Sequence, residues 1–322
     1  MADALNRVGP LVVAAVVCAV FPLFAGKFAV DLTTTIMIYA IFALSLELLV
    51  GQTGLVSFGH AAFLGIGAYA TVLLAPKAGA AAIAWLLPAV VIVTALCAAG
   101  IGALSLRTRG VYFIMVTLAF SQMAYYVFHD TAIGGGSDGV YLPMKPSLPF
   151  GANAGDARTF YYLTFVLLGA TFALLGVIKR SRFGHALAGI RVNELRMRAA
   201  GFSTYAYKLA AFVIGGALAG IAGALWAAKD GFVSPEILSW HQSGTVLLML
   251  ILGGLGSLRG AMLGALAFVA MQEIFQSEAL FGSFARHWQL SLGLAIIVWG
   301  ATMPHGWMGI AGQVRRWREG RG

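Results

Sequence analysis

Charged residues are scarce in this sequence. Only 10% of its 322 residues are charged, whereas 60% are hydrophobic, and the mean hydropathy is +0.87. A soluble domain carries about a quarter charged residues, so the composition excludes that class. Long strands of alternating polarity are also missing, which argues against a membrane β-barrel. What is present is a series of long apolar runs, which indicates an integral membrane protein built from helices.

Cysteine and the common catalytic motifs are nearly absent as well. Cys18 and Cys97 lie inside apolar runs without CxxC or Cys/His spacing, so we expect small buried side chains and no disulfide or metal framework. Neither an HExxH signature nor a GxxxxGK[ST] phosphate loop occurs, so we expect no metal site and no nucleotide site in this chain. The net charge of +9 does not indicate nucleic-acid binding, because the basic residues collect in particular loops.

The apolar runs predict a single all-α transmembrane domain over residues 1–322, with about ten spans. The first run is interpreted as a retained span, because it has no convincing small-residue cleavage site. The run at 243–257 is short and ends in GGLGS, so a half-helix or re-entrant segment, and nine spans in total, is the alternative. The predicted spans are 8–25, 32–50, 57–75, 82–105, 111–128, 159–178, 208–228, 243–257, 260–276 and 287–303.

The distribution of lysine and arginine predicts the orientation. With the N-terminus inside, fifteen basic residues fall in inner segments and six in outer ones, and basic loops favour the cytoplasmic side. We therefore expect both termini, the loop 179–207 and the basic tail 304–322 in the cytoplasm, and a Gly- and Pro-rich loop 130–158 outside. The six outer basic residues are Lys27, Lys77, Lys145, Arg158, Lys229 and Arg286.

Within the inner loop, SRFGHALAGIRVNELRMRAAGF predicts one amphipathic helix. Its apolar residues recur at helical spacing, and Gly201 is a natural stop. Such a helix lies on the inner leaflet with its arginines at anionic headgroups, or it docks a cytoplasmic partner. The residues of the apolar face are Phe183, Leu187, Ile190 and Met197.

The charged side of the same segment predicts local ion pairs. Glu194 lies three residues after Arg191 and four before Arg198, which are the spacings that bring side chains together on a helix.

A second unusual stretch, GQTGLVSFGHAAFLGIGAYA, places glycines and polar residues between two predicted spans. Glycines permit a helix break and close packing, and backbone groups freed by a break cannot face lipid. We expect this stretch beside a translocation route or cytoplasmic gate, with a simple inner turn as the equal alternative. Its glycines are Gly51, Gly54, Gly59, Gly65 and Gly67, and its polar residues include Gln52, Ser57 and His60.

Two carboxylates, Glu47 and Glu273, fall inside predicted spans. An ionisable group in the hydrocarbon core needs a cavity or a partner, and Glu47 is close enough to a helix end to reach the interface instead. His60 is expected to be a hydrogen-bonded packing residue rather than a ligand.

Two GxxxG patterns, Gly216 with Gly220 and Gly260 with Gly264, predict close helix packing.

Seven segments in order across roughly residues 35–275 resemble one family. They are LLVGQTGLVSFGHAAFLGIGAYA, RTRGVYFIMVTLAF, GGSDGV, SRFGHALAGIRVNELRMRAAG, YKLAAFVIGGALAGIAGALWA, GFVSPE and LMLILGGLGSLRGAMLGA. The chain resembles the LivM-type permease subunit of bacterial branched-chain amino-acid ABC importers. It departs from the family pattern at two places. Glu47 bears on which substrate is chosen, and the LRMRAA segment bears on which ATPase subunit fits the chain.

The resemblance implies a bacterial inner-membrane protein that works with several partners. They are a LivH-type permease, two cytoplasmic ATPase subunits that bind ATP and Mg²⁺, and a periplasmic binding protein. It also implies that a coupling segment transmits ATPase closure to the membrane spans. The candidate coupling residues are Phe183, Gly184, Leu187, Ile190, Arg191, Glu194, Arg198 and Gly201, and the candidate pathway or gate residues are Glu47, Gly51, Gly54, Ser57, Gly59 and His60.

Other functions remain open at this point. Relatives that import urea, short amides or aromatic acids share the resemblance. An ion-coupled secondary transporter would place several charges at mid-membrane depth, whereas this chain keeps nearly all of them at the boundaries. A membrane enzyme is disfavoured, because the pattern Gly135-x-Ser137-x-Gly139 matches a hydrolase elbow, which requires a strand before it and a helix after it, but lies in a glycine-rich outer loop.

Overall fold

A computed structural model describes residues 16–76, 79–147, 155–303 and 306 of the chain. The described residues are almost entirely helical, as the sequence predicts, and residues 16–24 form the first helical segment. The two short strands are β1 (Val140–Tyr141) and β2 (Phe232–Val233). The helices that follow the first segment are α1 (Lys27–Glu47), α2 (His60–Leu74), α3 (Ile83–Ser105), α4 (Val111–Asp130), α5 (Ala157–Arg180), α6 (Arg182–Val192), α7 (Glu194–Ala199), α8 (Thr204–Asp230), α9 (Trp240–Gly253), α10 (Leu258–Gln276), α11 (Glu278–Phe281) and α12 (Trp288–Thr302).

Among the described residues, six helices are long and apolar enough to cross a membrane. They are α1 with its continuation to Thr53, α3, α4, α5, α8 and α10. Helices α2, α9 and α12 fall at other predicted spans but have only 15, 14 and 15 residues. Helix α9 ends at Gly253, in keeping with the half-helix alternative for 243–257. The start of the predicted span 8–25 lies outside the described residues.

Helix ends coincide with capping residues. The side chain of Asp156 accepts hydrogen bonds from the first turn of α5, and Ser257 does the same for α10, which satisfies backbone donors that have no partner inside a helix. The same contacts with Thr159 and Arg158 hold the pKa of the Asp156 carboxyl below its usual range. Helix α8 ends at Gly231, whose φ of 69° is typical of a C-terminal glycine.

Helix α1 forms the centre of the bundle. Every residue from 40 to 53 is buried, and α5, α8, α9 and α10 pack around it. Helices α3 and α4 lie further out and expose large apolar side chains such as Leu96 and Met115. Exposed apolar surface of this kind suits lipid or another membrane subunit.

Glycines set the closest helix contacts. A Cβ on Gly220 would overlap Thr94 of α3, and one on Gly216 would overlap Ala98. A Cβ on Gly264 would overlap the carbonyl oxygen of Met249, and one on Gly260 would meet the backbone of Gly253. Both GxxxG predictions of close packing are therefore confirmed.

At one end of the bundle, β1 pairs with β2 in an antiparallel register, with Val140 opposite Val233. This pairing connects the loop 130–158 to the end of α8, and part of that loop, 148–154, lies outside the described residues. The Gly135-x-Ser137-x-Gly139 pattern forms a 3₁₀ turn between α4 and β1. The pattern therefore does not form a hydrolase elbow, because no strand precedes the serine and no helix directly follows it.

The basic loops meet at the opposite end. Lys179 at the end of α5 donates a hydrogen bond to the Gly256 carbonyl, with 2.8 Å between nitrogen and oxygen. The Tyr205 hydroxyl in α8 donates to the Ala103 carbonyl of α3 at 2.8 Å. The loops after α3, α5 and α9 therefore share one face of the bundle. The tail 307–322 lies outside the described residues.

Candidate functional site

The coupling segment predicted as one helix is two helices. Helix α6 begins after Ser181, whose hydroxyl accepts from the Gly184 N–H, and it stops at Asn193. The extended backbone of Asn193, with φ −156° and ψ 99°, breaks the helix, and its side chain caps α7 by accepting from the Arg196 N–H. Asparagine is a preferred N-cap residue, so this local signal was present in the sequence. Gly201, with φ 87°, follows the end of α7, and its predicted role as a stop is confirmed.

One face of α6 packs against this chain's own membrane helices. Leu187 and Ile190 are buried, and the Phe183 ring stacks on Tyr207 of α8 with centroids 5.6 Å apart. A Cβ on Gly184 would overlap the Ile178 carbonyl oxygen, so glycine permits the tight turn from α5 into α6. The candidate coupling residues on this face fix α6 to the bundle.

Glu194 joins α7 to α8. Its carboxylate oxygens lie 2.5 Å from the Arg198 guanidinium and 2.6 Å from the Lys208 ammonium, and the Thr204 hydroxyl donates to it at 3.1 Å. Burial alone would raise the pKa of this carboxyl, but the hydrogen bonds and charges of Lys208 and Arg198 outweigh it and lower the pKa to about 2. The predicted pair with Arg198 is confirmed. The predicted pair with Arg191 is not formed, because the break at Asn193 turns Arg191 away.

Arg191 instead reaches the end of the central helix. Its guanidinium donates a hydrogen bond to the carbonyl oxygen of Gly51. Carbonyls in the last turn of a helix lack partners within the helix, and a cation there also complements the helix dipole. Gly54 gives the arginine room, because a Cβ on Gly54 would lie 3.3 Å from the Arg191 Cγ.

The central helix ends in a wide turn rather than a regular one. Residues Leu48–Thr53 form a π-helical segment, and Gly54 follows with φ 74°. The Leu49 carbonyl accepts from the Thr53 hydroxyl at 2.5 Å and from the Leu55 N–H at 3.1 Å. Single π-helical turns inside longer helices are frequent at functional sites. This turn leaves the Gly51 carbonyl available to Arg191.

Glu47 lies one turn above this contact, and its side chain is fully buried within the bundle. Its carboxyl group lies against Gly51, where any Cβ would overlap it. Lys179 and Arg191 act on it electrostatically, and the Gly256 N–H approaches it without satisfying either oxygen. Glu47 thus lies among a cation of α5, a cation of α6 and the loop after α9.

The remaining gate candidates lie deeper in the bundle. The Ser57 hydroxyl accepts from the Gly59 N–H at 3.2 Å, and a Cβ on Gly59 would overlap the Thr117 carbonyl. The His60 Nε2 lies 2.8 Å from the Ser45 hydroxyl, and its ring stacks on Phe42. The expectation of His60 as a hydrogen-bonded packing residue is confirmed.

The structure therefore divides the gate candidates into two groups. Glu47, Gly51 and Gly54 meet Arg191 at the basic end, whereas Ser57, Gly59 and His60 pack inside the bundle. The first group contacts the coupling segment and the second does not.

Sequence comparison decides the family. The model of the family described as "Branched-chain amino acid transport system / permease component" matches residues 28–299. The chain belongs to this permease family. It is 32% identical to the LivM permease protein of Escherichia coli K12 over 321 residues, which cover 92% of this chain and 73% of the relative. It is also 32% identical to LivM of Salmonella typhimurium, over 90% of this chain and 72% of that protein.

More distant relatives belong to the same kind of system. The chain is 27% identical to the BraD permease protein of Pseudomonas aeruginosa, over 81% of this chain and 88% of the relative. No solved structure is a significant match. The match to LivM proteins confirms the resemblance seen in the seven sequence segments.

The exposed face of α6 and α7 in this family member contains residues that the sequence did not single out. Val192 and Leu195 are 83% and 70% exposed and flank the break at Asn193. Arg182 and Arg196 are also exposed. The apolar periodicity of the segment identified the buried face instead. Asn193, which breaks the helix between Val192 and Leu195, was the sequence signal that could have identified these exposed residues.

Proposed function

We propose that this chain is the permease subunit of an ATP-driven ABC importer for branched-chain amino acids. The LivM and BraD relatives are permease proteins of branched-chain amino-acid transport systems, which supports this substrate class. ATP and Mg²⁺ are bound by separate ATPase subunits, and the chain itself performs no catalysis. Related importers of urea, short amides or aromatic acids are the alternative within the same class.

The observation that carries the proposal is the hydrogen bond from Arg191 to the Gly51 carbonyl. It connects a cytoplasmic helix to the most buried membrane helix of the bundle. Together with the Glu194–Lys208 ion pair and the one-residue link at Ser181, it fixes α6 and α7 to three membrane helices. A force applied to this segment therefore moves α1, α5 and α8 together.

Membership of the permease family supports the following set of partners. Two ATPase subunits dock on the exposed face around Val192 and Leu195, and their closure on ATP displaces α6 and α7. A LivH-type permease forms the other half of the pathway, and a periplasmic protein delivers the substrate. The binding energy of ATP thereby selects one conformation of the permease pair.

In this proposal the chain crosses the bacterial inner membrane ten times, with both termini in the cytoplasm. The meeting of the basic loops at one end of the bundle supports this orientation. Beyond the six long helices and the first span, the crossings are supplied by α2, by α12, and by α9 together with the segment that precedes it.

Reconstitution tests the proposal directly. Leucine uptake into proteoliposomes is measured for the chain alone and for the chain with a LivH-type permease, the ATPase pair and the binding protein, each with and without ATP. We expect uptake only from the complete set and only with ATP. Uptake by the chain alone under an ion gradient would contradict the proposal and favour a secondary transporter.

A further inference from the structure

A polar cavity lies at the start of α9, away from the contact between Arg191 and Gly51. Its volume is about 510 Å³, within the range of about 300–1,000 Å³ that is typical of small-molecule sites. Glu236 and Trp240 are exposed beside it. Its lining includes Gln122, Tyr125, Glu236, Ser239, Trp240 and Gln242.

Hydrogen bonds place this cavity near the middle of the membrane. The Ser121 hydroxyl of α4 donates to the Leu238 carbonyl at 2.8 Å. Ser121 lies about 15 Å along α4 from its first residue, Val111, at 1.5 Å per residue, which is about half of a 30 Å hydrocarbon core. Helix α9 therefore begins at mid-depth and runs toward the basic end, where the loop that follows it meets Lys179.

Two polar atoms of the cavity lack hydrogen-bond partners among the described residues. They are the Gln122 side-chain nitrogen and the Gln242 side-chain oxygen, and both are shielded from solvent. Glu236, two residues before Leu238, adds an exposed carboxylate. An exposed carboxylate cannot face lipid without a large energetic cost, so Glu236 indicates that this side of the molecule faces a wet pathway.

The start of α9 adds free backbone donors. Ser239 precedes the helix, and its side chain makes no capping hydrogen bond. The Gln242 N–H donates to the Ser239 carbonyl, which leaves the N–H groups of Trp240 and His241 available to a ligand. The ends of broken membrane helices bind substrate carboxylates in this way. The Trp240 ring and the Tyr125 ring supply apolar surface beside these donors.

The geometry points to this cavity as the site where an amino acid pauses during import. The carboxylate of the zwitterion binds the free N–H groups at the start of α9, and its ammonium group binds Glu236. The amides of Gln122 and Gln242 complete the hydrogen bonds, and an aliphatic side chain packs on Trp240 and Tyr125. This inference rests on the proposed import of amino acids and adds the place and the chemistry of recognition within this chain.

The test uses the complete importer in proteoliposomes, with leucine as the probe. We expect Glu236→Gln to reduce the initial rate of leucine uptake at least about tenfold, because a charged hydrogen bond is lost. Glu236→Asp keeps the carboxylate and is expected to recover part of that rate. ATP hydrolysis stimulated by the leucine-loaded binding protein is expected to stay within about twofold of the wild type, because the cavity does not contact the coupling segment.

Two controls make the result specific. Glu278→Gln changes an exposed carboxylate of α11 and is expected to transport leucine normally. Gln122→Cys is expected to react with a thiol reagent applied from the periplasmic side, and leucine with the binding protein is expected to slow this reaction.

The outcomes separate this inference from the proposed function. If the wild-type importer transports leucine and Glu236→Gln transports it equally well, or if leucine leaves the labelling of Gln122→Cys unchanged, the cavity is not the site and the proposed function stands. If the wild-type importer with ATP transports no leucine, the proposed function fails and this inference fails with it.

Discussion

At the scale of single residues, Arg191 has the most consequential contact. Its guanidinium is the link between the coupling segment and the π-helical end of α1, and it lies near the buried Glu47. The charge-rich pattern of the loop predicted a partner for Arg191 but assigned it to Glu194. Sequence spacing identifies partners only within one continuous helix, and the break at Asn193 removes that continuity.

Removal of this guanidinium is expected to uncouple the importer. In Arg191→Ala the Gly51 carbonyl loses its charged donor, so we expect leucine uptake to fall at least about tenfold. ATP hydrolysis by the complex is expected to remain within about twofold of the wild type. Uptake and hydrolysis are measured on the same proteoliposomes.

Arg107→Ala is the matched control, because Arg107 follows α3 at the same basic end of the bundle and exposes its side chain. Equal losses of uptake in the two variants would show that general positive charge matters rather than the contact with Gly51.

At the scale of elements, the packing of short helices depends on glycine. The 14 residues of α9 span about 21 Å at 1.5 Å per residue, and α9 packs on α10 through the contacts of Gly253, Gly260 and Gly264. The GxxxG spacing predicted close packing but not the partner helix. Likewise, β1 and β2 have two residues each and lie about 90 residues apart, so no local pattern could predict their pairing.

A methyl group at Gly264 is expected to destabilise the bundle. It would overlap the Met249 carbonyl, and overpacking of this kind costs about 1–3 kcal/mol. We expect Gly264→Ala to unfold at a lower temperature than the wild type in detergent, as measured by a thermal-shift assay.

Gly293→Ala is expected to have the opposite effect on thermal stability. A Cβ on Gly293 of α12 would enter open space, with no described atom of another residue within 4 Å, and alanine is favoured over glycine in helices by about 0.5–1 kcal/mol. A Gly293→Ala variant that is as unstable as Gly264→Ala would refute the packing explanation.

At the scale of the whole molecule, composition and hydropathy were sufficient to predict a helical membrane protein and the approximate positions of its helices. They could not place the cavity at α9, because its polar residues come from α4 and from the segment before α9, which meet only in the folded chain. The burial of Glu47 also depends on tertiary packing, since its position near a helix end allowed two interpretations.

The orientation of the whole chain is testable in intact cells. Tyr141 in β1 and Val192 in α6 are 72% and 83% exposed and lie at opposite ends of the bundle. In a background without Cys18 and Cys97, an impermeant maleimide is expected to label Tyr141→Cys and to spare Val192→Cys. Labelling of Val192→Cys in sealed cells would reverse the orientation and remove the basis for ATPase docking.

Helix α8 connects both ends of the molecule. It runs unbroken over 27 residues from the Lys208 ion pair with Glu194 to the pairing of β2 with β1. Its closest contacts, at Gly216, Gly220 and Gly223, lie between those ends. Because α8 is a single continuous helix held at its middle, the Glu194 ion pair and the β1–β2 pairing are attached to the two ends of one rigid element.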